Sequence, residues 1–223
     1  NCDQAAKNLV QVYGDGFLPR IDNEAEDISF SLGLRGELNP DWSYDVSAVY
    51  GENSYDFTSK NTLNASYAAE YVANNPDASD ADIVANAGPN GGYSGGFRFD
   101  QTTVNADLNG IVDIGRSEPL YVSVGAEYRK ENYEIVPGEE ASYACGLANS
   151  DTSFPAVNDS SVFAECGFQA YNGLRPEASN KESRHSYAFY VNAETLITDA
   201  WQVSTALRYE DFSDAGDDII GKL

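Results

Sequence analysis

The chain has 223 residues, with 36 Asp and Glu against 13 Lys and Arg, a formal charge of −23. That balance excludes sequence-independent nucleic-acid binding, which needs a basic footprint. No run of about 18 apolar residues occurs, which excludes a transmembrane helix but not a transmembrane β-strand of about ten alternating residues.

Asn1-Cys2-Asp3-Gln4 carries no initiator Met, basic n-region or apolar h-region, so the sequence does not begin as an intact precursor with a secretory signal. The first strand is expected at 28–38, where Ile28, Phe30, Leu32, Leu34 and Leu38 alternate with Ser29, Ser31, Gly33, Arg35 and Glu37. The second, at 42–50, sets Trp42, Tyr44, Val46, Ala48 and Tyr50 against Ser43, Asp45 and Ser47. Asn39-Pro40-Asp41 between them has turn composition, which makes a hairpin.

A long polar loop follows over 51–96. Short helices are expected inside it: Asn64 can cap Ala65–Asn74, and Ser79 or Asp80 can cap a turn ending near Gly88. The hairpin pattern then recurs at 103–114 with 120–133, and at 187–197 with 201–211, separated by a second long loop over 135–184. The reading is all-β, with about six full antiparallel up-and-down strands and the start of a seventh. Cys145 and Cys166 lie in one Ser/Gly/Asn-rich stretch and, in an oxidising compartment, can close a loop contributing about 3 kcal/mol. Cys2 is left over.

Short turns alternating with long loops is the asymmetry of an outer-membrane barrel, although a soluble barrel or sandwich also gives alternating strands. Two features favour the membrane. Trp42, Tyr50, Tyr128, Tyr133, Tyr187, Trp201 and Tyr209 gather at strand ends, where aromatic girdles sit. The polar strand face is also charged, with Arg35, Glu37, Asp45, Asp107, Glu127, Arg129, Glu131, Glu194, Arg208 and Glu210, which suits a wet lumen. A salt-bridged wall is the ordinary role of those charges, and a ligand path is the functional one.

Catalysis is not expected. Gly92-Tyr93-Ser94-Gly95-Gly96 matches a nucleophile elbow by spelling, but it lacks the strand before and the helix after, and His185 is the sole candidate base. One His makes no zinc or haem site, and the acidic groups Asp77, Asp80, Asp82 and Asp214, Asp217, Asp218 lack the calcium-loop spacing, so no cofactor or metal is called for. Asn64-Ala65-Ser66 and Asn158-Asp159-Ser160 match the glycosylation sequon. Capture of a ligand falls to aromatic and Arg residues of the two loops: Tyr55, Phe57, Tyr93, Phe97 and Arg98 in the first, Tyr143, Phe154, Phe163, Phe168, Tyr171 and Arg175 in the second.

Several runs carry a resemblance: Phe17-Leu18-Pro19-Arg20 and Glu26-Asp27 leading into Leu32-Gly33-Leu34-Arg35-Gly36-Glu37, then Tyr50-Gly51-Glu52-Asn53, Asn61-Thr62-Leu63-Asn64 and Phe99-Asp100. Gly125-Ala126-Glu127-Tyr128-Arg129, the run from Arg208 to Asp214, and Gly221-Lys222-Leu223 continue it in order. Together they resemble the barrel of TonB-dependent outer-membrane transporters. The resemblance implies part of a 22-stranded barrel around a plug, with short periplasmic turns and long extracellular loops. It also implies uptake of a scarce ligand such as a ferric siderophore, haem, cobalamin or an oligosaccharide. The expected partners are outer-membrane lipid, the remaining barrel and plug, an inner-membrane energy-transducing complex and the ligand. Six strands cannot close a transmembrane barrel, so a middle section of a larger protein is expected. The alternative is a secreted acidic β-sandwich or barrel with a binding or adhesive role.

Overall fold

The structure, a computed structural model, describes residues 12–116, 118–146, 164–198 and 200–223. Seven strands form one sheet in the order β1-β2-β3-β4-β5-β6-β7, each beside its sequence neighbours. They are β1 Arg20–Asn39, β2 Trp42–Lys60, β3 Gly91–Val112, β4 Leu120–Pro137, β5 Lys181–Thr198, β6 Trp201–Phe212 and β7 Gly216–Lys222. The helices are α1 Ala65–Asn74, α2 Asp80–Asn86 and α3 Glu140–Tyr143, with a 3₁₀ turn at Pro176–Ala178.

The strands run well past the sequence-derived bounds. Residues 51–60 and 91–96, read as loop, belong to β2 and β3, and residues 135–137 and 181–184 belong to β4 and β5. In 51–60 and 91–96 the composition misleads because Gly, Ser and Asn there replace the alternating apolar residues that mark a strand. The seventh strand follows the short connection 213–215, where Ser213 N–H donates to His185 O (2.9 Å) and His185 N–H returns a bond to Ser213 Oγ (3.0 Å). The strict alternation of short and long connections therefore ends at β6, because a short turn stands where a third long loop would fall.

The short turns close through side-chain acceptors: Asp41 N–H donates to Asn39 Oδ1 (2.9 Å) and Gly115 N–H to Asp113 Oδ1 (2.8 Å). Two compact units are distinguished. One comprises Asn1–Glu26, Ser54–Arg98 and Glu134–Lys181; the other comprises Asp27–Asn53, Phe99–Tyr133 and Glu182–Leu223.

In the second unit the register of β5, β6 and β7 defines the two faces. Phe189 pairs with Tyr209 and Tyr209 with Ile219, while Val191 pairs with Leu207. This face is bare: Phe189 is 58 %, Leu207 51 % and Ile219 62 % exposed. In β1, Phe30 and Leu34 are 64 % and 73 % exposed. Val46, which a soluble core would have to seal, is exposed as well. An unbroken apolar band open to the surroundings is what lipid covers. Gly110 belongs to the same surface; a side chain there would strike the Trp42 indole at 2.4 Å, so the ring lies on bare backbone.

Burial is concentrated in the first unit, and its core is small and polar. Leu63, Ala68 and Ala87 form its apolar centre, against which Val12 and Tyr13 pack. Ser59, Thr62, Asn64, Ser66, Ser94 and Ser142 are sealed beside them. Each is satisfied: Ser59 and Ser94 share a 2.8 Å hydroxyl bond, Thr62 donates to Gln169 O (2.9 Å) and Ser142 to Glu139 O (2.6 Å). Cys145 and Cys166 are joined by a disulfide with Cα atoms 4.6 Å apart. Cys2, Phe154, Phe163 and the Asn158 sequon lie outside the described residues.

α2 opens on a capping box. Asp82 N–H donates to Ser79 Oγ (3.3 Å), while Asp82 Oδ2 accepts from Ser79 N–H (3.1 Å) and Oγ (2.6 Å). Those bonds, chiefly the one from the Ser79 hydroxyl, hold the Asp82 carboxyl below the usual range. A depressed carboxyl contributes stability above its unfolded value of about 3.9 and loses it as pH falls through the lower folded value. Amide exchange of α2 is therefore expected to quicken between about pH 4 and pH 2, and Asp82→Asn to remove most of that response.

Candidate functional site

Two groups of side chains carry the chemistry, one in each unit. In the second unit the face opposite the apolar band holds a charged network. Glu127 Oε1 accepts from Arg129 Nη2 (2.8 Å) and Arg208 Nη2 (3.1 Å), and Arg208 Nε donates to Glu210 Oε2 (3.2 Å). The Arg208 guanidinium also lies 5.9 Å from the centre of the Tyr190 ring, and the Tyr190 hydroxyl donates to Asp107. Arg184 pairs with Glu131 and sits 5.8 Å from the centre of Phe212. Gln202 donates to Glu194.

The sequence placed Arg35 and Glu37 opposite Asp45, yet no ion pair joins them among the described residues. Arg35 and Glu37 are exposed, and an exposed pair gains too little to hold two long side chains in one geometry. The pairing runs through Glu127, where β4 brings one carboxylate between two guanidiniums.

In the first unit the outer ends of β2 and β3, beyond the length a bilayer spans, hold the second group. Asp56 receives Arg98 Nη2 on both oxygens (2.8 and 2.9 Å) and the Tyr93 hydroxyl on Oδ1 (2.6 Å). Gly96 makes the approach possible, since a side chain there would lie 2.5 Å from Asp56 Oδ1 and 2.8 Å from the Tyr93 hydroxyl. Burial first, then the Asp56 bond, push the Tyr93 phenol up to about 12, so it stays a donor at any physiological pH.

Tyr55 and Phe57 share a strand face with centroids 5.0 Å apart, and Phe57 meets Phe97 edge-on at 5.8 Å and Tyr171 in a stack at 4.9 Å. Asp56 was missed in the sequence because it lies between two aromatics in a stretch read as loop; as strand, it takes the opposite face. Replacing Asp56 with Asn is expected to lose the charge-assisted bonds and destabilise this corner by about 2 kcal/mol. Faster amide exchange over 54–58 and 93–98 would register it.

The other loop candidates separate. Tyr143 is half-buried on α3, and Arg175 is exposed before the 3₁₀ turn. Phe168, expected to meet a ligand, is 2 % exposed and bridges Asn64, so it belongs to the core and presents no surface. Ser94 is fully buried against Ser59, which closes the nucleophile reading. His185 rests beside Tyr128 and Tyr187 at 6.4 and 5.7 Å. No group of three metal-ligating side chains occurs among the described residues.

The family model described as TonB dependent receptor-like, beta-barrel matches residues 6–222. The chain belongs to the TonB-dependent receptor β-barrel family. Receptors of this family lie in the bacterial outer membrane and are transporters, not enzymes. Among solved structures, the siderophore receptor PiuA from Acinetobacter baumannii is similar at 16 % identity, with a TM-score of 0.47. The similarity covers 91 % of this chain and 29 % of that one, so the chain spans under a third of that receptor's length. A comparison with curated proteins finds no match.

Proposed function

We propose that this chain is barrel wall and capture surface of a receptor that takes up a scarce nutrient across the outer membrane, driven by an inner-membrane energy-transducing complex. The observation that carries the reading is the two-faced second unit, apolar and bare on one side and charged on the other. A soluble binding or adhesive domain would hide the apolar face. A ferric siderophore, haem, cobalamin or oligosaccharide is the class of ligand, taken first by the long connections 61–90 and 138–180, with Tyr143, Tyr171 and Arg175 among their exposed or half-buried residues. The Glu127–Arg208 network braces the wall and faces the plug.

Deleting the gene for the whole receptor and measuring accumulation of labelled ferric siderophores, haem, cobalamin and oligosaccharides tests this. Loss of accumulation of one of them, mimicked by a protonophore in the parent strain, is the expected result. Unchanged accumulation of all four would refute it.

A further inference from the structure

α1 has two faces. Ala65, Ala68 and Ala69 are buried, whereas Tyr67, Glu70, Tyr71 and Asn74 recur at helical spacing on the other side and line a cleft. Its volume is about 510 Å³, within the usual range of small-molecule sites, about 300–1,000 Å³. Asn75, Asn86 at the end of α2, Gly88, Glu140 at the start of α3, Cys145 and Gly146 also line it. Two stretches distant in sequence, 67–88 and 140–146, thus converge on one opening.

The chemistry of the lining is selective. Two tyrosines one helical turn apart offer an aromatic wall. The amides supply donors and acceptors together. Asn75 Nδ2 donates to Tyr71 O and Asn86 Nδ2 to Asp82 O, both at 2.8 Å, which anchors those side chains to backbone and uses one N–H of each. Glu70 and Glu140 accept hydrogen bonds. Burial first, then Glu140, Glu70 and Tyr143, raise the Tyr67 phenol, so it is a neutral hydroxyl in use.

Among the described residues that line it, none is Lys or Arg. The connections 61–90 and 138–180 together carry ten Asp and Glu against the single base Arg175. An anionic ligand meets repulsion and no compensating base. Hydroxyls, by contrast, use every group present: carboxylates and amide oxygens accept from them, amide N–H groups donate to them, and the apolar face of a sugar ring stacks on tyrosine.

We propose that this cleft binds a neutral oligosaccharide. The inference rests on the uptake reading above and narrows its ligand class. A simple ammonium would use the acids and the rings but leave the amide donors idle.

The test uses the whole receptor purified in detergent, titrated calorimetrically with malto-, cello- and xylotetraose, with tetragalacturonate as the anionic probe and spermidine as the cationic one. Binding of at least one neutral tetrasaccharide is expected, with Tyr71→Ala weakening it at least tenfold. Glu140→Gln, at an exposed position, should weaken it several-fold, and Asp77→Ala outside the cleft should leave it unchanged. The proposal is overturned if no neutral tetrasaccharide binds, if only tetragalacturonate or spermidine binds, or if Tyr71→Ala and Glu140→Gln bind as the parent does. Protonophore-sensitive accumulation of a ferric complex alongside such a result would leave the uptake reading standing and remove only this inference.

Discussion

Replacing Asn64 with alanine is expected to open the loop unit locally by about 3 kcal/mol, a rise of about 100-fold in amide exchange at α1 and around Gly146. Asn64 is fully buried and every polar atom of its side chain is engaged. Its Oδ1 accepts from Ser66 N–H (3.1 Å), Ser66 Oγ (2.6 Å) and Tyr67 N–H (3.4 Å), which caps α1. Its Nδ2 donates to Ala141 O (2.9 Å) and Ala144 O (2.8 Å), tying α1 to α3 and the start of the disulfide loop. Loss of the cap costs about 1 kcal/mol, and a buried carbonyl left without its donor adds about 1–3 kcal/mol. Asn64→Ser should recover the cap alone and fall between the two, whereas Asn64→Asp should be at least as severe, because a carboxylate would face two carbonyl oxygens. The same geometry removes Asn64 as a glycosylation acceptor, since its amide nitrogen is spent.

Replacing Leu32 with arginine in the whole receptor is expected to cost about 2–4 kcal/mol of stability in the bilayer. Leu32 is 68 % exposed in the middle of β1, between Phe30 and Leu34 on the apolar face. Ser31→Arg, one residue away on the face that already holds Arg35, should change stability by about 1 kcal/mol or less. Denaturant unfolding of receptor folded into lipid vesicles measures both. Equal effects at the two positions would deny the face assignment.

The strands of the second unit were legible because their function imposes a two-residue rhythm. Ile28 to Leu38 alternates because successive side chains of a strand point to opposite faces, one apolar and one polar, so pattern and structure share a cause. Asn64 before an Ala-rich run and Ser79 before Asp82 were legible for the same reason, since the helix termini need those acceptors. The first unit was much harder to read. Its core is assembled from Ala, Ser, Thr, Gly and Asn, residue types that composition assigns to solvated loop, and its contacts join residues such as Thr62 and Gln169 that no local pattern connects. Phe168 reads as a contact residue because it is aromatic and flanked by Gly167 and Gln169; among the described residues it is the largest apolar side chain filling that polar core. The Asp56–Arg98–Tyr93 cluster stayed hidden because it depends on Gly96, whose missing side chain lets the three groups meet.

Which face of the sheet meets lipid is measured directly by a spin-label scan along β6. Labels are placed singly from 203 to 209 in the whole receptor, reconstituted in bilayers, and their collision with oxygen and with a water-soluble nickel complex is read. Val203, Thr205, Leu207 and Tyr209 pair with Thr195, Ala193, Val191 and Phe189 on the apolar face, so these four should favour oxygen. Ser204, Ala206 and Arg208, which pair with Glu194, Asn192 and Tyr190, should not. A two-residue alternation in that phase is the expected result; uniform access to the nickel complex, or the opposite phase, would contradict the account.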